Sequence, residues 1–302
     1  MKRSAWFILA VLALDAGGVA AQDLEPRSYA NAPVGMNFVI FGYGYSTGNI
    51  LVDQALPIED GRAKLNNLIG GYVRVVDVFG LSSKILVILP YTWGTFAGIL
   101  NGEAVSTSRS NFADPRVQLS VNLVGGPALS GREFAAYRSN TVVGASLRVT
   151  VPVGEYDPTK LVNLGSNRWT FRPQIGISHS VRRLTLEVYG SAWIFTDNPN
   201  YFGGSSLEQN SIYAVQAHAS YTFRPGLWIA LDGGFAGGGR TYIDSAVRNT
   251  LQENARLGAT LSLPLKRQHA LKLVFTSGIA TRIGADFDSF VLAYQFRWGG
   301  GL

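Results

Sequence analysis

After residue 21 this chain has no apolar stretch approaching the roughly 18 residues that a membrane helix requires, yet it carries too little charge to keep its whole surface in water. Only 15% of its 302 residues are Asp, Glu, Lys or Arg, against about 25% in a typical soluble protein. Hydrophobic residues make up 47% of the chain, and 35 residues are glycine. A greasy surface without a membrane helix leaves one structure that satisfies its backbone in lipid, a closed β-barrel.

The order of residues supports that reading. The chain divides into segments of about 10 to 14 residues that alternate with period two, separated by turn signals. From Pro115 to Leu123, Val117, Leu119 and Val121 alternate with Arg116, Gln118, Ser120 and Asn122. Between Thr141 and Val151, Val143, Ala145, Leu147 and Val149 alternate with Gly144, Ser146, Arg148 and Thr150. The last segment sets Phe290, Leu292, Tyr294, Phe296 and Trp298 on one face. Soluble antiparallel sheets also alternate. Here, however, Tyr91, Trp93, Trp169, Phe171 and Trp298 fall at the ends of greasy faces, where a membrane barrel places its headgroup-level aromatics.

About twelve such segments are expected, an even number as in bacterial barrels. They span 35–46, 65–78, 83–94, 114–124, 139–152, 168–180, 183–196, 210–223, 227–239, 252–263, 269–280 and 287–298. Glycines at 42, 44, 70 and 71 blur the phase of the first two. The connections alternate long and short. Those at 47–64, 95–113, 153–167, 197–209, 240–251 and 281–286 read as outer loops. Those at 80–82, 181–182, 224–226 and 264–268 read as periplasmic turns. The connection 125–138 is anomalously long for the periplasmic side. The fold class is therefore all-β, a transmembrane antiparallel up-and-down β-barrel.

The first residues read as a cleaved signal peptide over 1–21. Lys2 and Arg3 precede the apolar run Ala5 to Leu14, and small residues lead to Ala21. Residues 22–34 are expected to form a short periplasmic lead-in, and 35–302 the barrel in a Gram-negative-type outer membrane. The net charge of +6 comes from scattered basic residues, which argues against nucleic acid as a partner. With no cysteine, the chain has neither disulfides nor a thiolate metal site.

If the greasy face meets lipid, the alternate face lines the lumen. That face carries Lys84, Arg116, Arg148, Arg172, Arg256, Lys272 and Arg297, opposed by Glu187 and Asp232. It also carries Tyr189, Trp193 and Trp228. An inward excess of positive charge favours anions in a narrow pore. The competing reading is that these groups pair and pack to fill a small barrel. Within Tyr156 to Trp169, Asn163, Asn167 and Arg168 offer the donors and acceptors of a loop folded into the pore mouth.

The chemistry of a site is sparse. Gln216, His218 and Ser220 share one strand face. A His-x-Ser pair on a barrel strand resembles the catalytic pair of outer-membrane phospholipase A. In that family the pair faces lipid, whereas here Tyr213, Val215, Ala217, Ala219 and Tyr221 form the lipid face and turn His218 and Ser220 inward. His179 and His269 sit beside expected turns, so the three histidines are too dispersed for a metal site. Asp53, Glu59 and Asp60 read as solvated loop charges. Gly237-Gly238-Gly239 lacks the following helix of a phosphate loop. No cofactor is expected.

Several stretches together resemble one family, the outer-membrane proteins grouped as "MetA-pathway of phenol degradation". They include Leu24-Glu25-Pro26-Arg27-x-Tyr29-x-Asn31-x-Pro33-x-Gly35, Leu89-Pro90-Tyr91, Asp114-Pro115-Arg116 and Asn122-Leu123-x-Gly125-x-Pro127. Further on come Gly144-x-Ser146-Leu147, Pro152-x-Gly154-x-Tyr156-Asp157, Leu161-x-Asn163-x-Gly165-x-Asn167-Arg168-Trp169, Phe195-Thr196-Asp197-Asn198 and Gln216-x-His218-x-Ser220-Tyr221. The resemblance implies a barrel with a transport role for aromatic or other hydrophobic compounds, and supplies no catalytic residues.

The expected function is passive passage of small solutes, aromatic, hydrophobic or anionic, by a porin-like channel rather than an enzyme. The alternatives are a barrel-borne phospholipase or esterase using His218 and Ser220, and a non-conducting structural barrel. Expected partners are outer-membrane lipid, the solute, and the barrel assembly machinery. That machinery reads a terminal aromatic; here Gly299-Gly300-Gly301-Leu302 follows Trp298.

Overall fold

The computed structural model describes residues 24–51, 58–138 and 140–301. The expected signal peptide lies outside the described residues, as does Asp53. The strands are β1 (Met36–Leu51), β2 (Ile58–Val78), β3 (Leu81–Leu100), β4 (Glu103–Phe112), β5 (Arg116–Val124), β6 (Thr141–Thr150), β7 (Thr170–Val181) and β8 (Leu184–Phe195). They continue with β9 (Asn198–Tyr201), β10 (Ser205–Gln209), β11 (Ile212–Arg224), β12 (Leu227–Gly238), β13 (Thr241–Ile243), β14 (Ala246–Val247), β15 (Gln252–Pro264), β16 (His269–Thr281) and β17 (Gly284–Gly299). A short α-helix, α1 (Gly131–Ala136), and a 3-10 turn at Phe202–Gly204 interrupt them.

Among the described residues, twelve strands close into a barrel, in the order β1, β2, β3, β5, β6, β7, β8, β11, β12, β15, β16, β17 and back to β1. Each pairs antiparallel with the next. The last strand meets the first in register, from Met36 opposite Gly299 to Leu51 opposite Gly284. Closure removes the open edges that lipid would not tolerate.

The outside is apolar. Leu231 is 68% exposed and Phe41 61%, while their inward neighbours Asp232 and Gly42 are buried. An apolar exterior of this extent belongs in hydrocarbon. Aromatics cluster near both ends of the band. Tyr72 lies against Trp298 with ring centroids 6.3 Å apart, and Tyr221 against Phe223 at 5.1 Å. Toward the other end, Tyr91 meets Phe112 at 5.1 Å and Trp169 stacks on Phe171 at 6.5 Å.

Three expected outer loops contain strands. The upper half of β3 pairs with β4 in a hairpin that rises above the ring. The stretches 197–209 and 240–251 form a second, four-stranded sheet, β14-β13-β10-β9. Tyr201, Leu207 and Ile243 pack together at its core. Their short polar runs carry no long alternation, so the sequence pattern reads them as coil.

The long connection 125–138 has a structural role. It holds α1, capped by Ser130 and Glu133, which exchange side-chain to backbone hydrogen bonds. Its carbonyls and amides then serve the neighbouring chain. Ala128 N donates to Gly80 O at 2.9 Å, Val34 N to Leu129 O at 2.9 Å, and Asn31 Nδ2 to Pro127 O at 3.0 Å. The connection is a bracket for the segment that leads into β1.

Candidate lumen site

Residues 24–30 belong to the segment 22–34, expected as a lead-in to the barrel. They fold into the barrel and bind its inward face. This segment matches the wall group by group. Glu25 pairs with Arg148 at 2.6 Å. The backbone N–H of Arg27 donates to Glu187 Oε2 at 2.8 Å. Its guanidinium donates to Ser220 Oγ at 3.2 Å and Thr222 Oγ1 at 2.5 Å, and lies 4.4 Å from the Trp228 ring centre. Lys84 Nζ donates to Ser28 O at 2.9 Å.

Tyr29 is almost wholly buried against the wall. Its ring meets Tyr189 edge-on at 5.3 Å, and its hydroxyl accepts from Gln174 Nε2 at 3.2 Å. Two facing glycines make room for it. Gly144 on β6 and Gly176 on β7 are register partners. A Cβ at Gly144 would overlap Tyr29 Cδ1, and one at Gly176 would fall 2.7 Å from Tyr29 Cε2. Farther along, Leu24 fills the space beside Gln216, Gly234 and Arg256 and leaves a cavity of about 10 Å³, room for about one water.

A second element enters from the opposite end. The loop 153–169 turns inward and buries Val162 and Leu164. Val162 packs with Ile50, Ala63, Leu65, Phe96 and Phe287, which come from β1, β2, β3 and β17. Asp114 anchors the loop, accepting from Gly154 N at 2.8 Å, Ser166 N at 2.8 Å and Ser166 Oγ at 2.7 Å. Arg109 Nε holds the Val162 carbonyl at 2.7 Å. Within the loop, Asn163 accepts from Asp157 N at 2.8 Å and donates to the Asp157 and Lys160 carbonyls. Asn167 donates to Asn198 Oδ1 at 2.9 Å. Arg168 donates to Gln209 Oε1 at 2.6 Å and lies over Phe195. The Thr159 hydroxyl and backbone N–H both donate to Asp157, and they hold its carboxyl below the usual range.

The remaining inward side chains form linked pairs. Arg148 donates to Gln118 Oε1 at 2.7 Å, and Arg172 to Gln174 Oε1 at 3.0 Å with its guanidinium 4.3 Å from the Trp193 ring centre. Glu187 accepts from Tyr189 at 2.6 Å. Trp193, Gln216 and Arg256 are buried on the same wall, and Arg116 is half-buried at the β5 end nearest the inward loop. Lys272 lies 5.9 Å from the Trp228 ring centre, with Arg27 on that ring too. Arg297, expected among the lumen set, is half-buried near the end of β17. It sits at the turn end, donating to the Arg267 carbonyl at 2.7 Å.

His218 and Asp232 are completely buried and 2.7 Å apart, with Thr260 donating to the second Asp232 oxygen at 2.8 Å. Ser220 does not complete a nucleophile–base pair with them. Its hydroxyl accepts from Arg27, and His218 Nε2 has no hydrogen-bond partner among the described residues. A serine nucleophile needs its base within hydrogen-bond reach. The residues that periodicity missed are Glu25, Arg27, Tyr29 and Asp114. Their signal lay in the stretches of family resemblance, Leu24 to Gly35 and Asp114 to Arg116.

The barrel resembles solved membrane proteins. An outer membrane channel from Pseudomonas putida F1 superposes with a TM-score of 0.77 at 20% identity, over 91% of this chain and 100% of that one. The transport unit of the autotransporter AIDA-I from Escherichia coli gives a TM-score of 0.50 at 10% identity, over 94% of this chain and 99% of that one. These likenesses concern the fold. No curated protein sequence matches. The sequence itself matches the family described as MetA-pathway of phenol degradation over residues 42–296, which takes in every barrel strand in whole or part, so the chain belongs to that family.

Proposed function

We propose that this protein is an outer-membrane channel that passes small solutes passively, with a preference for compounds joining an aromatic or apolar body to a negative charge. The observation that carries the reading is the set of cation–ring pairs on the inward wall. Arg172 lies 4.3 Å from the Trp193 ring centre and Lys272 5.9 Å from that of Trp228, each putting a positive charge beside a ring. An aromatic anion entering such a wall finds a guanidinium for its charge and a ring face for its body. The apolar exterior and its aromatic ends support placement in the outer membrane, as does the fold shared with outer-membrane barrels.

The N-terminal segment and the inward loop both occupy the inward face and narrow the path. Both are held by reversible contacts, so a solute or field that competes for Arg148 and Glu187 opens the path. The test is conductance and reversal potential in planar bilayers, with liposome swelling in phenolic, sugar and organic-anion solutes. The reading expects anion selectivity and faster entry of aromatic anions than of sugars. Cation preference would overturn the anion reading, and no permeability even after residues 22–34 are removed would leave a structural barrel.

A phospholipase reading has one observation in its favour, the His218–Asp232 pair. The inward direction of that pair and the engagement of Ser220 by Arg27 weigh against it. We take the protein to be no enzyme.

A further inference from the structure

The tight-turn end of the barrel carries an arc of exposed cations. Arg182 and Arg183 form the β7–β8 turn, Arg224 ends β11, and Lys266 and Arg267 form the β15–β16 turn. All five are exposed. The three turns abut in space. Thr222 N donates to Arg183 O at 2.8 Å, which joins the first turn to β11. Ser262 Oγ donates to Gly226 O at 3.0 Å, which joins the second turn to β15. Arg297 extends the arc by its bond to the Arg267 carbonyl.

Among the described residues nothing neutralises this arc, and no carboxylate forms an ion pair with any of the five. The acids at this end are already engaged elsewhere. Asp77 accepts the Gly80 N–H in the β2–β3 turn, and Glu133 closes the cap of α1. The opposite end of the barrel mixes both signs, as in the exposed pair of Arg282 with Glu253.

Four of the five cations also stand beside an exposed apolar side chain. Val181 and Leu184 flank Arg182 and Arg183, Phe223 precedes Arg224, and Leu265 precedes Lys266. This is the boundary between headgroup and hydrocarbon. We propose that the arc binds the phosphates of anionic glycerophospholipids in the periplasmic leaflet, with their acyl chains along the neighbouring apolar residues. Guanidinium groups grip phosphate through paired N–H donors. A zwitterionic lipid would bring its own ammonium against five clustered cations, so the fit is to a headgroup of net negative charge. The inference rests on the outer-membrane placement and is independent of conduction.

The experiment places the full mature chain in nanodiscs of equimolar phosphatidylcholine and phosphatidylglycerol. Native mass spectrometry then reads the lipid retained by the protein. The wild type is expected to retain phosphatidylglycerol preferentially. The variant R182Q/R183Q/R224Q/K266Q/R267Q is expected to lose that preference, by up to roughly fivefold per cation removed. R240Q/R248Q/R282Q, at the other end, is expected to keep it. Heat-modified gel mobility checks folding, and R182Q/R183Q and K266Q/R267Q are read separately if the five-site variant misfolds. Equal retention of the two lipids, or a preference unchanged by the five substitutions, overturns the proposal. Saturable binding of glycerol 3-phosphate in detergent would assign the arc to a soluble anion. Capture of an acidic protein in place of lipid would assign it to a protein partner. Either result also overturns the lipid assignment.

Discussion

The backbone N–H of Arg27 donates to the carboxylate of Glu187 at 2.8 Å, across 160 residues of sequence. This bond ties the start of the described chain to the middle of the barrel wall. Replacing Glu187 with Gln keeps the shape and removes the charge. A hydrogen bond to a charged group contributes about 1.5–3 kcal/mol, so the segment should loosen while the barrel stays folded. Single-channel recordings are expected to show larger or more frequent openings in E187Q. Unchanged traces would mean that the segment is held elsewhere.

Gly176→Ala tests the seat of Tyr29. The added methyl meets both Tyr29 and Tyr189, and overpacking of this kind costs about 1–3 kcal/mol. The flexible N-terminal segment should yield before the closed barrel does. Limited proteolysis is expected to cleave near residue 30 in the variant and to spare the wild type, with heat-modified mobility preserved.

Asp114→Ala removes the acceptor of three hydrogen bonds that anchor the inward loop. Conductance and liposome swelling should both rise, and deletion of 158–166 should raise them further. If neither change alters permeability, the loop is a stabilising cap and not a constriction.

Asp232→Asn breaks a fully buried pair with His218. Losing a buried hydrogen-bond acceptor of this kind costs about 1–3 kcal/mol. The unfolding transition, read by the temperature at which gel mobility shifts, is expected to fall markedly, while Thr260→Val should lower it less.

Ser220→Ala separates transport from lipid hydrolysis. Its hydroxyl accepts from Arg27 and its side chain is wholly buried. Purified wild type and variant are both expected to release no fatty acid from phospholipid vesicles. Release by the wild type that disappears in S220A would replace the channel reading with a lipase.

The barrel is legible from sequence because lipid imposes one rule on every strand. Val117, Leu119 and Val121 must be apolar where Gln118, Ser120 and Asn122 need not be, so period two survives. The same rule separates the buried His218 from the exposed Val215 and Ala217 on one strand. Where lipid is absent the rule lapses. β9, β10, β13 and β14 lie beyond the ring and are two to five residues long, too short to display a period. The N-terminal segment is hidden for a different reason. Its partners Arg148, Glu187, Ser220 and Trp228 sit on four strands, and nothing local in Leu24 to Tyr29 points to them.

The bond between Arg27 and Glu187 also sets an order of assembly. The segment carrying Arg27 is made before the barrel strands, and its acceptors Glu187, Ser220 and Thr222 follow it by 160 to 195 residues. None of these contacts forms until the later strands are in place, and the loop to be closed is among the longest that the chain contains. A segment that precedes every barrel strand in sequence is therefore among the last to find its native partners.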